Sequence, residues 1–286
     1  MLADRDIFDL PGLSAEACAR LVAAVADDPA NQSQVTALKD EFQREGISWK
    51  ADDFERALLR RAAAVNEPRV AALPVHESVK RRLIDEFHFY SQPPAKEVLF
   101  TGTHLFTTGC KMISLRRFPA GPMDWEISGV PRSWLLKFRK RDLPRVLLFL
   151  ATRLHGFRPL FFMHVARRPK NRSLLVEREV LRSYYRMARS LELQPGIKGI
   201  MASAWFHDPA AVANEPHLSC LNRPYQENGG LIVTMGPAAA DAGFLERNVQ
   251  RKEQLEAGAL SYQLGLALWP RAAALAWARR HPELED

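Results

Sequence analysis

Cysteine is scarce, with three residues in 286, and Cys18, Cys110 and Cys220 stand far apart. They make neither a C-x-x-C pair nor an even-numbered framework, which excludes a disulfide scaffold or a zinc ribbon and fits a reducing compartment. Long apolar runs are missing too. The run around Val146 and Leu150 is bounded by Arg145 and Arg153, whereas a membrane-spanning helix needs about 20 mostly apolar residues. The opening MLADRDIFDL mixes acids with apolar residues where a secretory signal would place a basic stretch and then an apolar core. A cytoplasmic protein is therefore expected, in peripheral contact with a membrane at most. The eight histidines form no H-x-x-x-H or H-E-x-x-H spacing, so no metal site is signalled. Internal repeats and low-complexity tracts are also lacking.

A composition of 47% hydrophobic and 26% charged residues is that of an ordinary globular chain able to bury a core. Acidic residues are few in one place. Between Arg132 and Arg189 sixteen Lys or Arg meet only Asp142, Glu177 and Glu179, so this segment carries +13 and the rest of the chain −6. Such asymmetry makes the centre a surface for anions: phosphates, acidic lipids, nucleic acid or an acidic protein.

Helical periodicity dominates the first 92 residues. Apolar positions recur at helical spacing over 14–26, with Ser14 as N-cap, and again over 35–44, 52–65 and 77–90, where Val79, Leu83, Phe87 and Tyr90 share a face. Gln92-Pro93-Pro94 ends the pattern, and the residues from 93 to 286 are expected to form a mixed-sheet core. Short apolar runs at 98–100, 105–106 and 112–118, separated by Gly102 and Gly109, predict strands. The stretch 118–134 is rich in Pro and Gly and predicts an ordered loop around Trp125 and Trp134. A helix follows over 142–154, then a strand over 160–165, a basic turn, and a helix over 173–193 with Leu174, Leu181, Tyr184, Ala188 and Leu191 as its buried stripe. Arg178, Arg182, Arg186 and Arg189 fall three or four residues apart and predict a solvated ladder on the opposite face. Strands over 197–206 and 231–235 and helices over 240–258 and 267–279 complete an α+β or α/β chain, with a helical N-terminal region and a mixed central sheet flanked by helices.

Several of these elements carry candidate chemistry. The turn Arg167, Arg168, Lys170, Arg172 opens a helix, whose unpaired N–H groups and dipole add to the side-chain charge in holding an anion. His207 and Asp208 lie at a strand end, where open sheets commonly bind ligands, and either has the chemistry to take a proton; Asp208 followed by Pro209 also fits a helix cap. His164 stands within an apolar strand as a further proton-transfer candidate. Trp205 offers a pocket wall, and Arg247 with Arg251 a bidentate grip on a carboxylate.

From residue 160 to 236 the order is strand, basic turn, helix, strand, short helix, then Tyr225-Gln226-Glu227-Asn228-Gly229 leading into another strand. This order, with its Y-x-x-x-G spacing, resembles the second half of the GNAT-type N-acyltransferase superfamily. The resemblance implies an acyl-CoA or acyl-carrier thioester as co-substrate, with Arg167, Arg168, Lys170 and Arg172 at its pyrophosphate and Tyr225 as general acid to the departing thiolate. It also implies two parallel strands, at 160–165 and 197–206, that splay apart.

Two other function classes fit the residues. The segment 139–154 sets apolar positions beside Arg139, Lys140, Arg141, Arg145 and Arg153, as a helix lying on an anionic membrane surface does. Nucleic acid is disfavoured, because the basic stretch lacks interleaved aromatics and a reading motif. A metal-dependent oxygenase would need His104, Asp124, His164 and His207, dispersed in sequence, to converge.

Overall fold

Local periodicity builds the N-terminal part of the chain. In the computed structural model, which describes residues 10–49, 53–91, 104–165, 176–237 and 262–285 together with Glu253 and Ala257, two compact units divide at Ala120 and Gly121. The first is helical: α1 (Ala15–Asp27), α2 (Gln32–Arg44), α3 (Asp53–Asn66), α4 (Glu77–Ser91) and α5 (His104–Ile113), closing with a short strand β1 (Arg117–Pro119). Ser14 caps α1 as expected, its hydroxyl accepting from the Ala17 N–H at 3.2 Å. Helix α1 packs against α3 and α5, and Cys18, Val22, Leu58, Ala62, Phe106 and Cys110 are fully buried. The predicted face of α4, Val79, Leu83, Phe87 and Tyr90, is buried.

Residues 105–106 and 112–113, predicted as strand, are helical in α5. Short apolar runs have no period of their own to tell strand from helix. Gly109, which looked like a strand separator, lies inside α5, where an added Cβ would come 2.8 Å from the Tyr90 ring. It is a small residue at a close helix crossing. The predicted strand at 98–100 lies outside the described residues.

The second unit holds β2 (Met123–Ser128), α6 (Leu143–Thr152), β3 (Leu160–Val165), α7 (Glu177–Glu192), β4 (Gly199–Ala204), α8 (Pro209–Asn214), α9 (Ser219–Glu227), β5 (Leu231–Pro237), β6 (Gln263–Pro270) and α10 (Arg271–Arg280). The chain is thus a mixed α+β protein whose central sheet carries helices on its faces. Within this unit the strands run β2-β3-β4-β6-β5. Two expectations change here. The predicted loop at 118–134 contains β2, whose Met123, Asp124 and Trp125 are buried, and the predicted helix start at 267 belongs to β6, with the helix beginning only after Pro270. Pro270 itself is extended, so it ends a strand and starts a helix.

One sheet face carries Leu160, Met201, Leu231, Val233, Leu266 and Leu268, and is covered by α6 and the 3-10 turn Arg132–Lys137, through Phe138, Val146 and Leu150. Side chains of alternate residues point the other way, where Trp269 meets Tyr184 of α7 and Tyr225 of α9. Helix α7 departs from its predicted ladder. Arg186 is buried, together with Ser183 and Ser190, while Arg182 and Arg189 pair with Glu179 and Glu192 on the same helix. Among the described residues, no helix is long and apolar enough to cross a membrane.

Candidate functional site

β3 and β4 are parallel neighbours, in register at Phe161 with Ile200, Phe162 with Met201 and Met163 with Ala202. Each strand then continues for two residues held only by its outer neighbour. His164 and Val165 stay paired with Asp124 and Met123 of β2, and Ser203 and Ala204 with Leu266 and Gly265 of β6. Among the described residues no ladder pair joins β3 to β4 beyond Met163 and Ala202. Burial follows the same line: β3 and β4 are largely buried up to this point, and His164, Val165, Ser203, Ala204 and Trp205 are all partly exposed. The facing edges of these strand ends therefore present backbone donors and acceptors toward one another without a ladder, at the carboxyl end of a parallel pair, where open sheets take ligands.

His164 stands on the β3 side of this opening. Its ring packs on Phe162 at 4.4 Å between centroids, and Nε2 lies 3.3 Å from Glu126 Oε1, with both side chains partly exposed. Residues opposite one another on antiparallel strands share a face, so Asp124 and Glu126 of β2 lie on the His164 side. Glu126 had no signal in the sequence, because it lies in a stretch whose glycines and prolines predict a loop. On the β4 side Trp205 stacks at 5.0 Å on Tyr262.

Behind β4 lies a second polar cluster, fully enclosed. Asn222 on α9 donates through Nδ2 to the Phe206 carbonyl at 2.8 Å, which leaves Oδ1 to accept from His207 Nδ1, 2.5 Å away. This fixes the proton on Nδ1. Among the described residues Nε2 is then a bare acceptor, buried and without a hydrogen-bond partner. Burial holds the imidazole neutral, lowering its pKa to about 4 against a smaller opposing pull from Asn222. His207 also fills the space left by Gly265, where a Cβ would come 2.5 Å from that of His207.

Tyr225, 6.0 Å from His207 between ring centroids, is likewise buried, with its hydroxyl beside that of Tyr184. Burial raises its pKa, with the neighbouring Tyr184 hydroxyl acting in the opposite sense. Tyr184 donates to the Leu221 carbonyl at 2.9 Å, and its own pKa is raised by burial first and then by Tyr225. Among the described residues His207 Nε2 is thus a buried acceptor without a donor, which costs about 1–3 kcal/mol.

The remaining candidates separate. Asp208 is engaged as a cap, accepting from Ala210 N at 3.1 Å and, through its other oxygen, from Gln263 N at 2.6 Å. Arg167, Arg168, Lys170 and Arg172, and likewise Arg247 and Arg251, lie outside the described residues, as does most of the helix predicted over 240–258. Asp124 and His164 are cross-strand neighbours, whereas His207 follows β4 and His104 opens α5 of the other unit. Among the described residues, no three of His, Cys, Asp and Glu come together in a way that would hold a metal ion. No family model, curated protein or solved structure matches the chain.

Proposed function

We propose that the second unit transfers an acyl group from a thioester, carried by coenzyme A or a carrier protein, to an amine. The observation that carries this proposal is the parting of β3 from β4 after Met163 and Ala202. An extended donor arm with amide groups of its own suits strand edges whose N–H and C=O groups lack a ladder partner. The strand, helix, strand, helix, strand order around the opening is the second support.

His164 is the group best placed to move protons there, because it is partly exposed and oriented by the Glu126 carboxylate. As the amine nitrogen attacks the thioester carbonyl, the C–S bond breaks; His164 takes the amine proton and returns it to the departing thiolate. Protons and electron pairs balance without any further reactant. Tyr225, the acid implied by the resemblance, is enclosed among Tyr184, His207 and Trp269. Its hydroxyl would have to meet the donor from inside the core.

The experiment is a thiol-release assay with acetyl- and long-chain acyl-CoA against a panel of amines, on the wild type and His164→Gln. Amine-dependent release that falls by about 10²–10³ in the variant, as expected for loss of a general base, with unchanged thermal stability, supports acyl transfer. No release, together with no thermal stabilisation by any acyl-CoA or acyl-carrier donor, overturns it.

A further inference from the structure

The layer over the α6 side of the sheet has an outer surface that the proposed chemistry does not use. Its inner side supplies Phe138, Val146 and Leu150 to the core. Its outer side leaves three leucines in solvent: Leu136 at 90% exposure, Leu148 at 64% and Leu147 at 40%. On α6 the exposed arc is Pro144, Arg145, Leu147, Leu148, Ala151 and Thr152, which holds one cation and no acid. Flanking α6 in the chain are the exposed cations Lys137, Arg139, Lys140, Arg141 and Arg153. From Arg132 to Arg158 eight Lys or Arg, all exposed, meet a single acid, Asp142, giving this segment +7. Among the described residues, Arg141 alone of these cations approaches an acid, Asp142 at 3.9 Å.

We infer that this surface, formed by the 3-10 turn Arg132–Lys137 and α6, docks on an anionic lipid bilayer. Charge complementarity selects the occupant: unneutralised cations seek phosphate, and leucines projecting among them gain only if a nonpolar phase lies just beyond the phosphates. Nucleic acid presents phosphate without that phase, and it rewards stacking aromatics where this surface has aliphatic side chains. A helix lying flat, with leucines inserted and cations at the headgroups, satisfies both sets of groups at once. The surface holds the protein at the membrane whatever reaction the second unit performs.

The test is cosedimentation of the whole chain with phosphatidylcholine vesicles, with and without phosphatidylglycerol, across about 0.05–0.5 M salt. Two surface variants are compared, Leu136→Ser with Leu148→Ser, and Arg139→Gln with Lys140→Gln and Arg141→Gln, each checked for an unchanged melting temperature. Binding only to anionic vesicles is expected, weakening with salt and falling about 100-fold on removal of three cations, with a clear loss in the leucine variant too. No binding to anionic vesicles overturns the inference. So does binding that the leucine variant keeps in full, or a short DNA duplex bound under the same conditions more tightly than the vesicles.

Discussion

His207 donates its Nδ1 proton to Asn222 Oδ1 at 2.5 Å, and Asn222 in turn holds the Phe206 carbonyl, so one amide on α9 ties down both the imidazole and the backbone after β4. The pair sits in a fully enclosed place. It gives His207 a definite tautomer and a bare Nε2.

This arrangement makes stability depend on pH. The folded pKa of about 4 lies below the ordinary value of 6.5, so between these values the unfolded chain binds the proton and the folded chain does not. Stability is fully present above pH 6.5 and drains away as pH falls toward 4, by roughly 3 kcal/mol in all. Urea unfolding at pH 7, 5.5 and 4.5, compared with His207→Leu, reads this contribution, and the variant loses that part of the slope. Equal slopes in the two proteins would mean that His207 is not buried neutral.

Tyr225→Phe removes a buried hydroxyl that meets the Tyr184 hydroxyl, which keeps its own bond to the Leu221 carbonyl. The variant is expected to stay within about 1 kcal/mol of the wild type in stability, and to keep acyl transfer. A variant that folds as well but no longer turns over the thioester would assign the proton donor to Tyr225 in place of His164.

Asp208 divides its two oxygens between Ala210 N, at the start of α8, and Gln263 N, at the start of β6. Asp208→Ala is expected to cost about 2–3 kcal/mol, the sum of a lost cap and an N–H without its acceptor. Asp208→Asn keeps an oxygen for the cap and should recover part of the loss. If Asp208→Ala leaves unfolding unchanged, the capping role is wrong.

The parts of the fold that are legible in the sequence share one property, that their signal is local. Helices α1, α3, α4 and α7 show in periods of three to four residues, β3 in a compact apolar run, and the Ser14 cap in a single hydroxyl. The cation-rich segment is a matter of counting. Where the signal is weak the outcome follows the surroundings: α5 is helical because its residues pack on α1, α3 and α4, and β2 is a strand because β3 offers an edge from Leu160 to Val165. Gly, Pro and a buried Trp125 in one stretch do not announce such an edge. Residues 267–270 show the same limit, since an apolar run before a helix reads as that helix until β4 and β5 are seen to flank it.

The candidate site was legible as residue types and not as a place. His164 and His207 stand out as polar residues in or after apolar strands, yet nothing in their spacing names Glu126 as partner of the first or Asn222 as partner of the second. Nor does helical spacing foresee that Arg186, three or four residues from Arg182 and Arg189, turns inward.

By itself the sequence determined the helical first part, the mixed character of the rest and a central segment of strong positive charge, because these depend on neighbours a few residues apart. Only the tertiary structure decided that β6 lies between β4 and β5, that β3 and β4 part after three residue pairs, that His207 is neutral, and that Leu136, Leu147 and Leu148 remain outside. Strand pairing, desolvation and exposure are set by groups distant in the chain, and no local pattern encodes them.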